Sequence, residues 1–403
     1  MSEFAARVER GQTVALFVVE GDLLIDGGTV KAERETIEVK GSVVVRHEGS
    51  VKGNLKAEDV RGDGTLDVEG NLDAEDVHLD DGASLMVRGD LNVESVDVPR
   101  ALRVQGKSKI EDLRVGGEAE FEGDAVVEDV RVGGTLKAGK ITGEDINVGG
   151  TFEAKEVRCE DVKVGGTIRV ERIDAEDVKA GGTVVVTVEG KIEDLDVGGI
   201  AQIENGTLED ARVGGTLESG GKIKFEDLDV GGTLKLGSAE GETVRVGGVL
   251  EVQNDLTLRD KLTVGGEARL GGRLEAGSVD VGGELVAAEV RAAQAVKVGR
   301  KIVTIRGVRA DAVSLGRHGR VSGPIVGKDV RIEGGSEVED VYAEEVRLGD
   351  SSLAKNVYGG EVEVGDDCRI SGRVLYTDEI RIGRNVQFSS NPEKVPSLPG
   401  PPQ

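Results

Sequence analysis

The chain has 403 residues and contains 62 Gly, no Trp, three Tyr and six Phe. Because a globular core of this size ordinarily uses many aromatic rings, the interior is predicted to be thin, regular and aliphatic, unlike that of several globular domains. The formal net charge of −26 disfavours a dedicated nucleic-acid binder, whose surface is basic.

Residues 1–13 are predicted to be a flexible segment, and the first strand is predicted to begin at Val14. The apolar run Val14–Val19 is short and follows no basic region, so it does not match a signal peptide. No stretch approaches the ~20 apolar residues of a membrane-spanning helix. Cys159 and Cys368 lie in no CxxC motif, which is typical of reduced thiols and not of a disulfide framework or a zinc site. These features predict a cytoplasmic protein.

Repeats of fixed period dominate the middle of the chain. Eleven Gly-Gly pairs follow one another at intervals of 16–18 residues and begin at residues 116, 133, 149, 165, 181, 198, 214, 231, 247, 265 and 282. A second ladder, of Glu-Asp pairs, has a similar spacing and starts earlier, at residue 58. A period sustained over this length indicates a solenoid.

Each repeat alternates polar and apolar residues on both sides of its Gly-Gly pair. Around Gly133, the segments 129–132 and 135–138 show the period-two pattern of a strand with one buried face. The Gly-Gly pair is predicted to form the corner between them, because glycine tolerates positive φ. A third short side near Ile141 closes the coil, and no repeat holds a stretch long enough for a helix.

The fold class is therefore predicted to be all-β, a single-stranded parallel β-helix with 16–17 residues per coil. Right-handed winding is expected because parallel crossovers are right-handed, and because the period is not that of the hexapeptide repeats typical of left-handed β-helices. One coil buries roughly five aliphatic side chains at ~1.5–3 kcal/mol each. Ordering its residues costs ~1.5 kcal/mol apiece, so only stacked coils are stable.

The β-helix is predicted to be continuous over residues 14–388, with regular Gly-Gly coils to about residue 285. The coils over 286–388 are predicted to be less regular and locally basic, since residues 290–323 carry eight Lys or Arg and one acid, Asp311. Residues 389–403 hold five of the seven prolines and are predicted to be a disordered tail.

No catalytic, cofactor or metal site is predicted. The Glu-Asp ladder lacks the spacing of calcium-binding rolls and EF-hands, and is interpreted as a solvated charged face. The sequence Gly106-Lys107-Ser108 resembles the end of a phosphate-binding loop, but Ala101 stands where the first glycine would be. The three histidines show no ligand spacing, and the near-constant period leaves little room for the loops of an active-site groove.

The glycine-punctuated repeats, without a signal peptide and with a proline-rich tail, resemble the bactofilins, which are polymer-forming cytoskeletal proteins. The resemblance covers residues 14–388 and implies a right-handed β-helix that assembles end to end into nonpolar filaments without nucleotide. It also implies that a hydrophobic residue in a terminal coil supports assembly, and Phe388 stands in a matching place. The chain is longer than typical family members and lacks a membrane-targeting N-terminal peptide, so membrane contact is not indicated.

The ends of the predicted solenoid independently favour assembly. Each end of a β-helix presents unpaired strand edges, and such edges template further pairing. The predicted polymer interface consists of apolar residues in the first and last coils, namely Phe17, Val19, Ile382, Val386 and Phe388.

The basic band is predicted to make lateral contacts. Arg300, Lys301 and Arg306 are expected to contact the Glu-Asp face of a neighbouring copy, with anionic lipid as the rival partner. The predicted function is a nucleotide-independent cytoskeletal scaffold that polymerises with itself, with further client proteins left open. The alternative is a non-polymerising β-helical scaffold or spacer that binds another protein. A polysaccharide-active enzyme and a surface fibre are the remaining candidates.

Overall fold

The structure, a computed structural model, describes residues 4–80 and 82–402 and divides into two compact units, one ending at Ile203 and the other beginning at Glu204. In the described part of the chain, every regular element is a β-strand, and the strands pair in parallel. The predicted all-β solenoid fold is thereby confirmed. No helix that could span a membrane occurs among the described residues.

The first unit contains 21 strands. They are β1 Ala6–Val8, β2 Thr13–Leu16, β3 Val18–Val19, β4 Leu23–Asp26, β5 Thr29–Val39, β6 Val43–Arg46, β7 Glu48–Lys56, β8 Asp59–Gly62, β9 Thr65–Val68, β10 Leu72–Leu79, β11 Ser84–Val87, β12 Leu91–Val98, β13 Ala101–Val104, β14 Ser108–Val115, β15 Glu118–Val132, β16 Thr135–Thr142, β17 Asp145–Val148, β18 Thr151–Val164, β19 Thr167–Ala180, β20 Thr183–Val197 and β21 Ile200–Ile203.

The second unit contains 23 strands. They are β22 Gly206–Val213, β23 Thr216–Val230, β24 Thr233–Gly241, β25 Thr243–Val246, β26 Val249–Val252, β27 Leu256–Leu258, β28 Lys261–Val264, β29 Glu267–Leu270, β30 Arg273–Val281, β31 Glu284–Ala287, β32 Glu289–Val298, β33 Lys301–Thr304, β34 Val308–Arg309, β35 Ala312–Leu315, β36 Arg320–Ser322, β37 Ile325–Val326, β38 Asp329–Ile332, β39 Glu337–Leu348, β40 Leu353–Val364, β41 Arg369–Ile370, β42 Val374–Ile382, β43 Gln387–Phe388 and β44 Glu393–Lys394.

Each strand stacks on the strand about one coil later, so equivalent residues of successive coils lie in columns. In the first unit, β18 pairs with β19 so that Val162 meets Val178. In the second unit, β39 pairs with β40 so that Val346 meets Val362. All four side chains are buried. The apolar half of each alternating strand thus forms a continuous aliphatic column, in which stacking completes both the hydrogen-bond ladder and the core.

Coils of different length stack because their extra residue is absorbed at one place. Between β19 and β20, Val170 pairs with Val186 but Arg172 pairs with Glu189, so the register shifts by one residue. Comparable shifts within each unit fall between Phe121 and Asp124, Ser219 and Lys222, Ala276 and Ser278, and Gly359 and Glu361. Each of these shifts falls between two runs of paired residues, so the strand segments on both sides of it keep their pairing.

The Gly-Gly pairs lie at corners, as the sequence predicts, but for a different physical reason. None of the eleven pairs contains a glycine with positive φ. Instead, a Cβ added to Gly149 would lie 2.3 Å from the carbonyl oxygen of Gly133, one coil earlier, and Gly165 stands in the same relation to Gly149. Glycine is required there because the backbones of successive corners are stacked too closely for any side chain.

Two segments expected to be irregular contain short strands. Strand β1, within residues 1–13, pairs with β4, and Val8 is fully buried over Ile25. In the tail, β44 pairs with β42, and the carbonyl oxygen of Pro402 accepts a hydrogen bond from Arg309. Local composition does not reveal these contacts, because the partners of both segments lie elsewhere in the chain.

Candidate assembly interface

The last coil of the second unit leaves the end of an aliphatic column exposed. Ile382 stacks on Val364, which stacks on Leu348. Val364 is 2% exposed, whereas Ile382, in the equivalent position, is 48% exposed. The difference arises because β44, the last strand that the structure describes, stacks on β42 only at Leu375 and Tyr376, so no strand stacks on Ile382. An inward-facing isoleucine is therefore presented to solvent at the end of the coil.

The other residues predicted for this end surround the same face. Phe388 stacks on the buried Ile370 and is itself half-buried. Val386 is half-buried and follows Asn385, whose φ of 57° marks the left-handed corner of this coil. The sequence reasoning missed Ile380, which stacks on Val362 and is half-buried as well. Its two-residue spacing from Ile382 was the signal that could have identified it.

In the first unit, the two predicted interface residues, Phe17 and Val19, are less available for contact with a second copy. Val19 stacks on Val39 and is buried. Phe17 is 38% exposed, and the guanidinium of Arg34 lies 4.4 Å from its ring centroid, so one face of the ring is engaged in a cation–π contact.

The residues of the first coil that point along the interior columns are Val14 and Leu16, which the sequence reasoning passed over. They stack on Val30 and Ala32, which are buried, yet both are themselves only half-buried. Apolar area on this face is therefore contributed by Val14 and Leu16 as well as by Phe17.

The three residues predicted to form lateral contacts flank one strand of the second unit, with Arg300 and Lys301 at the start of β33 and Arg306 beyond its end. Lys301 pairs with Glu284, with 3.5 Å between Nζ and Oε2. Arg300 and Arg306 are exposed, and neither forms an ion pair with another residue that the structure describes. Ile305, next to Arg306, is 84% exposed. The charges of Arg300 and Arg306 therefore face solvent.

The acidic column of the first unit is partly neutralised by its own cations. Asp145, Asp161 and Asp177 lie in register on successive coils. The Nζ of Lys163 lies 2.8 Å from Asp161, and this hydrogen bond is the main cause that lowers the pKa of Asp161 below its ordinary value. Lys179 contacts Asp177 at 3.4 Å. In both coils the Asp thus pairs with the lysine two residues later, which lies on the same face of the strand.

The thiol beside this column is held in its neutral form. Burial, followed by the charges of Asp161, Asp145 and Asp174, raises the pKa of Cys159 to about 12. Since the thiolate is the reactive form, Cys159 is a poor nucleophile and a poor metal ligand. Among residues 4–80 and 82–402, no group of three or more His, Cys, Asp or Glu side chains is arranged to hold a metal ion.

Comparison with known proteins links this architecture to a structural family. No curated protein and no solved structure matches the chain. One protein-family model matches residues 11–109, about a quarter of the chain, and its description is Bactofilin, polymer-forming cytoskeletal. The match supports a structural role. The resemblance to the bactofilins that the repeat pattern indicates is therefore confirmed for residues 11–109.

Proposed function

We propose that this protein is a cytoplasmic structural scaffold whose copies join end to end into filaments through the exposed faces of their terminal coils. The observation that carries the proposal is the exposure of Ile382 at a position that is buried in the preceding coils. A second copy that covered Ile382, Ile380 and Phe388 would continue the aliphatic columns. It would also pair the free strand edges, which otherwise remain open to association.

Assembly is proposed to require no nucleotide. In the segment that resembles a phosphate-binding loop, the backbone N–H of Lys107 donates a hydrogen bond to Asp90 Oδ1 at 2.7 Å. A carboxylate therefore occupies the place where a phosphate would have to bind, and it would repel that phosphate. Ser108, which would contact the metal of a bound nucleotide, is buried.

The test is a pair of substitutions of the same residue type in the second unit. Ile382→Arg places a charge in a surface that must be desolvated when two copies join, at a cost of ~3 kcal/mol or more, which lowers the association constant at least about a hundredfold. Ile305→Arg introduces the same charge at an exposed isoleucine on the side of the coil. We expect Ile382→Arg to abolish pelleting and negative-stain filaments, and Ile305→Arg to retain both.

The outcomes separate the proposal from its alternative. Full-length filaments formed by Ile382→Arg combined with Phe388→Arg would contradict end-to-end joining. Isolated particles of the unaltered protein, with or without nucleotide, would instead identify a non-polymerising scaffold. A dependence of the pelleted fraction on ATP or GTP would contradict the nucleotide-independent mechanism.

The cations that flank β33 are proposed to bundle filaments by contacting acidic columns of neighbouring copies. Arg300, Lys301 and Arg306 supply the positive charge, and the formal net charge of −26 ensures an acidic partner surface. Contacts of this kind are screened over ~10 Å at 0.1 M salt. In the same micrographs, added salt should therefore disperse bundles while single filaments persist. Binding to anionic vesicles in place of bundling would identify lipid as the partner.

A further inference from the structure

Two outward-facing side chains of the second unit are buried where solvent exposure is expected. Along an alternating strand, one face packs into the coil and the other faces outward. Val357 and Val374 occupy the inward positions and are buried. The next residues, Tyr358 and Leu375, point to the opposite face, yet they are only 4% and 9% exposed. Something outside the coil must therefore cover them.

These side chains belong to an apolar column on the outer surface, which we call the tyrosine stripe: Val326, Tyr342, Tyr358 and Leu375. The four residues lie in register on consecutive coils. The rings of Tyr342 and Tyr358 are stacked, with 4.7 Å between their centroids and 29° between their planes. Arg309 extends the column by one coil, since it pairs with Val326.

The chain's own tail is anchored near both ends of this column. Near Leu375, strand β44 stacks on β42, and the backbone N–H of Val395 donates to the carbonyl oxygen of Tyr376 at 2.9 Å. At the other end, Arg309 Nη2 donates to the carbonyl oxygen of Pro402 at 2.7 Å. The Nε of Arg309 is buried and has no acceptor among the described residues, so the base of this outward-facing arginine is covered as well.

The length of the tail leaves room only for an extended path along the stripe. The column from Leu375 to Arg309 covers four coil steps, or about 19 Å at ~4.8 Å per step. Residues 396–402 number seven and include four prolines. In the polyproline II conformation they would extend about 22 Å at ~3.1 Å per residue. A segment of this length that joins the two anchors must cross the levels of Tyr358 and Tyr342.

We propose that the tyrosine stripe is a binding site for proline-rich segments and that residues 395–402 of the same chain are its ligand. Proline-rich segments bind aromatic-lined grooves because their conformation is already ordered before binding. In this site the two tyrosine rings supply the aromatic surface, and Arg309 supplies a directional donor for a backbone carbonyl. Another segment of the same chemistry, including the tail of a second copy, competes for the stripe. The proposal is independent of filament formation, since Ile382 and Phe388 lie outside the stripe.

The chain offers a spectroscopic signal that comes mainly from this site. It has no tryptophan and three tyrosines, Tyr342, Tyr358 and Tyr376, of which two form the stripe and the third accepts the hydrogen bond from Val395. Tyrosine fluorescence, its quenching by a neutral solute, and the absorbance change on ionisation therefore report on the stripe through two of the three tyrosines, while Tyr376 adds a background contribution. Burial raises the pKa of Tyr342, and the charges of Tyr358 and Asp340 act in the same direction.

The first experiment weakens the binding of the tail to the tyrosine stripe within the full-length chain. Substituting glycine for prolines 396, 399, 401 and 402 together should release the segment, because its ordered conformation is lost. We expect tyrosine quenching to increase several-fold and the ionisation of Tyr342 to move toward ordinary tyrosine behaviour, while the far-ultraviolet circular dichroism stays unchanged. The matched control is Pro392→Gly, which alters the same tail before the anchored segment. Unchanged quenching and ionisation in the four-site variant would overturn the proposal.

The second experiment adds the ligand back. A synthetic peptide with the sequence of residues 391–403 should restore tyrosine protection in the four-site variant, and the same peptide with alanine in place of its prolines should not. Arg309→Gln in that variant should weaken peptide binding about tenfold, the loss expected for one hydrogen bond from a charged donor. Arg317→Gln, on the same unit, should leave binding unchanged. Equal protection by both peptides would show that the stripe does not recognise proline-rich segments.

Discussion

The corners of the Gly-Gly coils and the corners of the last coils achieve the same turn by different means. Within each unit, over 116–199 and 214–283, successive Gly-Gly corners bring backbone against backbone, and a Cβ at Gly149 would meet a carbonyl oxygen at 2.3 Å. From His318 to Asn385, the corner residue adopts a left-handed conformation with φ between 55° and 72°. Side chains are present at most of these later corners, so here the conformation of one residue, and not the absence of side chains, makes the turn.

The later corners use side chains to join one coil to the next. Asp350 Oδ1 accepts a hydrogen bond from the backbone N–H of Asp366 at 2.8 Å, and Asp366 Oδ1 accepts one from the backbone N–H of Arg384 at 2.7 Å. A directional contact of this kind tolerates small changes of position, whereas a close backbone stack tolerates no added atom. In the Gly-Gly region, glycine is needed because successive coils lie close together at the corner. In the last coils, the left-handed conformation of one residue makes the turn.

The largest effect on stability is expected from a substitution at a stacked Gly-Gly corner. Gly149→Ala should lower the free energy of unfolding by about 2–3 kcal/mol, because the added Cβ meets immobile backbone and overpacking costs ~1–3 kcal/mol. The matched control is Gly190→Ala in the same unit, where the nearest atom to an added Cβ lies 3.5 Å away. The control should be neutral or slightly stabilising. Urea unfolding followed by circular dichroism measures both, and equal losses would contradict a role for corner stacking.

A smaller effect is expected at Glu289, which follows Gly282-Gly283, the last of the eleven regularly spaced Gly-Gly pairs. This carboxylate is buried and accepts hydrogen bonds from Arg291 at 2.7 Å and Arg273 at 3.1 Å. Burial acts to raise the pKa of Glu289, but the two arginines together lower it below its ordinary value. Glu289→Gln should therefore cost about 1–2 kcal/mol at neutral pH, a value reduced by the partial exposure of both arginines.

The loss of stability caused by Glu289→Gln is expected to depend on pH. Because the pKa of Glu289 is lower in the folded state, its contribution to stability is present above the pKa of the unfolded chain and is lost as pH falls through the folded pKa. The difference between the unaltered protein and Glu289→Gln should therefore shrink in acid. Glu284→Gln, at a pair with Lys301 that is much more exposed than Glu289, is the control and should change stability little. A difference that grew in acid would contradict this assignment.

The smallest effect is expected at a left-handed corner, where a change to glycine should increase the free energy of unfolding. Ser351 has φ of 59°, a conformation that costs ~1–2 kcal/mol for a residue with a Cβ. Ser351→Gly should therefore stabilise the second unit by about 0.5–1 kcal/mol, after allowance for the flexibility of glycine in the unfolded chain. Ser314→Gly, in strand β35, should destabilise by a similar amount because no strain is relieved there. Destabilisation by Ser351→Gly would show that the left-handed corner is not strained.

Much of the coil could be predicted from the sequence because its period is explicit. The spacing of the Gly-Gly pairs and the alternation around Gly133 identify strands, corners and core without structural information. The same reasoning placed Ile382 and Phe388 in the last coil, where the structure shows half-covered apolar side chains. The reason for the glycines could not be predicted, because the distance between stacked backbones does not appear in a single repeat.

The surface features were harder to predict because they depend on residues distant in sequence. Tyr342 and Tyr358 stand 16 residues apart, which places them in one column, but this spacing does not show that the proline-rich tail is anchored near both ends of that column. The ion pairs of Lys301 and Glu289 depend likewise on partners in adjacent coils. The period predicts which residues are neighbours, but it does not predict which segments fold back onto the outer face.

The register shifts bear on how such a chain can change in length by recombination. Coils of 16 and 17 residues stack because the extra residue is absorbed beside Val170 or its equivalents, while the main corner stays aligned. Unequal crossing-over between two coding repeats would therefore insert or delete a whole turn and leave every aliphatic column intact. A one-residue insertion within a strand would instead turn each following side chain to the opposite face. The number of turns is thus a heritable length that selection can adjust without redesigning the fold.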